Sequence, residues 1–116
     1  MAILSTPYHL VIMHSAAVAT GNGTAVECVG VGDGARTTLT VQIQGITIAT
    51  VTFEGTVDGT NWVAMGFTTL ANNSTVATTA TADGLYRATV LGLLSVRARI
   101  SAWTSGTITV TGVAVG

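Results

Sequence analysis

Residues 38 to 44 alternate strictly: Leu39, Val41 and Ile43 are apolar, and Thr38, Thr40, Gln42 and Gln44 between them are polar. Successive side chains of a strand point to opposite faces, so this period of two predicts a strand with one buried face. The pattern returns in VTFEGTVDGTNWVAM, residues 51 to 65, with Val51, Phe53 and Val57 on one face and Thr52, Glu54 and Thr56 on the other. Asp58-Gly59 then interrupts it. Gly accepts the positive φ of a tight turn and Asp bonds its own backbone, so residues 51 to 67 read as a hairpin turning at Asp58 to Asn61. Phe53, Asp58, Gly59 and Trp62 are its structural residues on this reading. Trp62 plugs the corner with its indole N–H on a backbone carbonyl, and Glu54 faces solvent.

The same grammar predicts hairpins at Gly32-Asp33-Gly34 and at Thr104-Ser105-Gly106, the second separating a strand over 96–103 from one over 107–115. Asp83-Gly84 turns into a strand from Tyr86 to Leu91. Residues 68 to 82, TTLANNSTVATTATA, read as a long surface loop with one short strand. The only helical candidate, Leu91 to Leu94, is too short to stand. Seven to nine short strands with a turn signal about every ten residues predict an all-β sandwich or small barrel, with jelly-roll and immunoglobulin-like connections both open. The first twenty residues differ: MAILSTPYHLVIMHSAAVAT is apolar, holds the single Pro and runs into Gly21-Asn22-Gly23. Residues 1–23 are therefore an N-terminal arm or first strand, and residues 24–116 the β-sandwich domain. No Lys or Arg precedes Leu10 to Ala19, so a signal peptide is not expected. No apolar run is long enough to span a bilayer.

Charge changes the picture most. The 116 residues carry four basic and five acidic side chains, for a net charge of −1, and the mean hydropathy is +0.63. Area scaling gives about 5,900 Å² of folded surface, or roughly one charge per 650 Å², far sparser than on an ordinary soluble monomer. Thr hydrates part of that surface, but self-association is the expected way to cover the rest. With no lysine and a negative net charge, neither nucleic acid nor an anionic membrane is an expected partner. The single Cys28 cannot close an internal disulfide and reads as a small core residue.

Candidate chemistry is thin. No serine lies in a G-x-S-x-G elbow and both histidines fall in the first segment, so the chain is not expected to be an enzyme or to hold a cofactor or metal. His9 and His14 are five apart, a spacing that suits joint ligation on neither a strand nor a helix, and read as polar residues on an arm. Arg97 and Arg99 alternate with Val96, Ala98 and Ile100 and project from one face with Ser101 and Trp103. Two readings stay open for them: an inter-subunit or host-surface contact, or an intramolecular ladder to Glu54 or Asp58. The candidate interface residues are Tyr8, His9, Leu10 and Ile12 on the arm, with Arg97, Arg99 and Trp103. Trp62, Trp103, Tyr8 and Tyr86 offer an alternative, a stacking platform for a sugar.

Four motifs occur in order: Phe53-Glu54-Gly55-Thr56-Val57-Asp58-Gly59-Thr60-Asn61-Trp62, then Gly84-Leu85-Tyr86-Arg87, Val96-Arg97-Ala98-Arg99, and Thr104-Ser105-Gly106-Thr107-Ile108-Thr109-Val110. This series, over roughly residues 36 to 115, resembles small tailed-bacteriophage virion proteins. The resemblance implies a single jelly-roll-like antiparallel β-sandwich of about eight short strands with an N-terminal arm. It also implies a structural role on the virion: a head decoration (cement) protein on the capsid surface, bound to the major capsid protein and to itself as a homo-oligomer, a trimer. The alternative is a tail, fibre or spike module that binds host-surface carbohydrate.

Overall fold

Two long strands dominate the structure, a computed structural model that describes residues 8–30 and 34–115. Strand β5, Thr38–Thr56, and strand β11, Ser95–Val115, pair antiparallel from Thr38 opposite Val115 to Thr56 opposite Ser95. The alternation read at residues 38 to 44 opens β5: Leu39, Val41 and Ile43 are buried while Gln42 and Gln44 are exposed. Each of these three apolar side chains contributes about 1.5–3 kcal/mol on burial.

The long ribbon is bent. Register shifts interrupt it between Ile100 and Thr109, where Gly45 (φ 91°) and Gly106 (φ 120°) face each other. A Cβ on Gly45 would lie 1.8 Å from the Thr107 carbonyl oxygen, and one on Gly106 2.5 Å from the Gly45 carbonyl oxygen. Only glycine fits at either point. The Asp83 carboxylate accepts the N–H groups of Gly45 (3.0 Å) and Ile46 (2.8 Å) and so pins the bulge from outside. This overturns the expected hairpin at Thr104-Ser105-Gly106. Gly106 gives its positive φ to a bulge inside one 21-residue strand, and the chain does not reverse there.

The bend lays the two halves of the ribbon over each other as the layers of an antiparallel β-sandwich. In one layer, β1 (Tyr8–Ala17) flanks the second half of β11, and beyond the first half of β5 lie β10 (Gly84–Thr89), β7 (Phe67–Thr69) and β8 (Val76–Ala77). In the other, β2 (Val26–Glu27) flanks the first half of β11, and the second half of β5 pairs with β6 (Val63–Ala64) and β9 (Thr79–Ala80). The core lies between them. Phe53 stacks on Phe67 across the layers with ring centroids 4.3 Å apart, and Tyr86 stands 5.5 Å from Phe53.

The fold is all-β, and among the described residues there is no helix. Among the described residues the strands are very unequal: two are long and six have only two residues, with nine in the main sheet and two in a small separate ribbon. Residues 68 to 82 hold most of β7 with β8 and β9, not one short strand, because Asn72 builds a tight turn there. Its Oδ1 accepts from the N–H groups of Ser74 (3.0 Å) and Thr75 (3.1 Å), and Thr69 N–H then reaches the Thr75 carbonyl at 2.9 Å. The expected turn at Gly32-Asp33-Gly34 falls largely outside the described residues. On its flanks, β3 (Val29–Gly30) and β4 (Gly34–Ala35) pair antiparallel.

Candidate functional site

Among the described residues, strand β1 pairs with one strand only, β11. Its register is regular from Tyr8 opposite Val115 to Ile12 opposite Thr111, then shifts twice before Ala17. Met13 turns into the core, which leaves Leu10 and Ile12 outward at 51% and 48% exposure, with His9 also exposed. Residues 8 to 12 carry no acidic or basic side chain except His9, and no Pro or Lys, the usual means of blunting an edge. Of the segment read as an arm or first strand, Tyr8–Ala17 is strand, and residues 1–7 lie outside the described residues.

His14, read as a polar arm residue, is buried, with Nε2 2.7 Å from the Ala98 carbonyl oxygen. A carbonyl only accepts, so Nε2 carries the proton. This bond ties β1 to the opposite layer. Gly23 closes over the ring, where a Cβ would lie 2.5 Å from Nε2.

Arg97 stands opposite Glu54 and Arg99 opposite Thr52 in the β5–β11 ladder. Both Nε groups donate to the Glu54 carboxylate, from Arg97 to Oε1 at 2.8 Å and from Arg99 to Oε2 at 3.2 Å. Of the two readings left open, the intramolecular ladder is therefore present, with Glu54 and not Asp58 as acceptor. Covered by both arginines, Glu54 is only 8% exposed, contrary to the solvent-facing position expected of it. Trp62 is half-buried and lies under the Arg97 guanidinium, 4.2 Å from the ring centroid, as a cation–π partner and not a corner plug. The indole N–H that reaches a carbonyl belongs to Trp103, which donates to Gly106 at 3.0 Å.

The turn residues behave as read. Asp58 accepts from Thr60 N–H, Asn61 N–H and the Asn61 amide, each at 2.8 Å, and from the Thr56 hydroxyl at 3.0 Å. These donors, the Asn61 backbone first, hold its carboxyl well below the usual carboxylate range. Gly59 takes φ 80°. Val57, counted inward by period, is 71% exposed because β5 ends at Thr56; with Val63 and Leu93 it lines an apolar cleft missed in the sequence. Cys28 is buried, and burial, with the Glu27 charge adding to it, pushes its thiol up to about 11. Among the described residues, no three of His, Cys, Asp and Glu group in a way that would hold a metal ion.

The family model described as XepA matches residues 8–114. A search of the curated proteins finds no match. Two solved structures are similar. The SPBc2 prophage-derived protein YomS is 21% identical with a TM-score of 0.80, and the match covers 100% of both chains. The PBSX exported protein XepA is 19% identical with a TM-score of 0.85, and the match covers 100% of this chain but 40% of that one. At these identities the structural likeness speaks for the sandwich fold.

Proposed function

This chain belongs to the XepA family, and from that membership we propose that it is a non-enzymatic, phage-associated structural protein. Its specific role is head decoration: a homo-oligomer, taken as a trimer, sits on the capsid surface and stabilises it by bridging major capsid protein subunits. The observation that carries the reading is the uncharged, one-sided edge strand β1, with Leu10 and Ile12 outward on a chain of only nine formal charges. A neighbouring copy or the capsid covers that edge, and closed symmetry then hides the apolar face. The prophage origin in the name of YomS supports a phage setting. The name of PBSX XepA as an exported protein favours a second reading, a phage protein released from the cell.

The test is sedimentation of the purified chain and of Ile12→Lys, each alone and with purified particles. Covering the half-exposed Ile12 is worth about 1 kcal/mol, and a buried lysine adds its desolvation. Assembly should therefore weaken more than tenfold while the unfolding midpoint stays put. A wild-type chain that sediments as a monomer and does not bind particles would refute the proposal.

A further inference from the structure

Of the aromatic residues that could serve as a sugar platform, Trp103 is the one that lines a cleft among the described side chains. Tyr86 is buried and its hydroxyl donates to the Ala82 carbonyl at 2.7 Å. Trp62 carries the Arg97 guanidinium on its ring. Tyr8 stands at the far end of β1, opposite Val115. Trp103 packs against the core and lines an open cleft of about 260 Å³ together with Thr47, Ile48, Thr50, Thr81 and Thr104.

The bend of the ribbon builds this cleft. The register shift between Trp103 and Ser105 re-aims the indole, as bulges commonly do beside binding sites. The bond from Nε1 to the Gly106 carbonyl uses the ring's only donor and fixes its orientation. What the ring offers a ligand is therefore its π surface, and Thr47, Thr50, Thr81 and Thr104 line the cleft with it. Each hydroxyl donates and accepts, which matches the hydroxyls of a sugar. No lining residue is charged, so nothing there compensates a carboxylate or a phosphate. The volume is just below the ~300–1,000 Å³ of sites for drug-sized ligands, enough for one ring and not for a chain of them.

We propose that this cleft binds a single neutral pyranose ring, stacked on Trp103 and hydrogen-bonded to the surrounding threonines. The proposal is independent of head decoration and adds a ligand to either reading of the protein's role. At the ligand efficiency ordinary for small ligands, a single sugar ring binds in about the millimolar range.

The experiment uses the Trp62→Phe protein, in which Trp103 is the sole indole. Its fluorescence is titrated with glucose, galactose, N-acetylglucosamine and N-acetylgalactosamine, with glucuronate as the charged control. At least one neutral sugar should give a saturable change, and glucuronate none. Thr81→Val and Thr104→Val replace exposed hydroxyls without adding bulk; each should weaken binding about fivefold, the worth of one hydrogen bond, and leave the unfolding midpoint unchanged. No saturable response to any neutral sugar up to ~100 mM, well past the expected range, would overturn the proposal. So would a response equally strong in the Thr81→Val/Thr104→Val double variant, because the signal would then arise elsewhere. Particle binding by the same variants reads the decoration role separately.

Discussion

Substituting alanine for three glycines separates the bend of the ribbon from an ordinary turn. At Gly21 an added Cβ meets nothing within 4 Å and φ is not positive, so Gly21→Ala should stay within about 0.5 kcal/mol of wild type. At Gly92 there is also nothing within 4 Å, but φ is +93°. Gly92→Ala should therefore lose only the conformational term, about 1–2 kcal/mol. Gly106 has φ +120°, and its Cβ would lie 2.5 Å from the Gly45 oxygen and 2.8 Å from the Thr47 nitrogen. Both are backbone atoms of the paired strand and can yield only by breaking the ladder. Gly106→Ala should lose about 3–5 kcal/mol, the strain and the clash together. Urea unfolding measures all three as shifts in midpoint at constant slope. A Gly106→Ala midpoint no lower than that of Gly92→Ala would refute the bulge and return Gly106 to a simple turn.

Glu54→Gln removes the carboxylate shared by Arg97 and Arg99 and should destabilise the domain by about 1–2 kcal/mol, a fall in Tm of about 4–10 °C. Cys28 should resist iodoacetamide in the folded protein at neutral pH and react on unfolding. Because its folded pKa is raised to about 11, its contribution to stability is complete below about 8.5, where the unfolded thiol ionises, and is lost as pH rises from there towards 11. Asp58 has the opposite sign: its folded pKa is depressed, so its turn should persist as pH falls through about 3.9 and open only well below. The Asn61 amide shift in an NMR titration reads that transition.

The parts of the fold written in local pattern were legible. Thr38 to Gln44 shows its strand by alternation, and Asp58 to Asn61 its turn by Asx chemistry, because every group involved lies within a few residues. The bend was not legible, because Ser105-Gly106 punctuates the chain as a turn would, while its counterpart Gly45 is remote in sequence. The burial of His14 depends on a carbonyl 84 residues away, and that of Glu54 on two arginines more than forty residues on. Strands of two residues have no period to read. For the candidate surfaces, the outward set on β1 follows from alternation in HLVIM once the segment is taken as strand. The pairing of Trp62 with Arg97 and of Trp103 with the bulge depends on the tertiary fold, since either indole could have filled either role.

The most direct test of the central claim is the copy number of this chain relative to the major capsid protein in purified particles, by quantitative mass spectrometry. The account predicts hundreds of copies in simple ratio to the capsid lattice. A few copies would contradict decoration and point to a tail or fibre component, and absence from particles with accumulation in the culture medium would point to the exported reading.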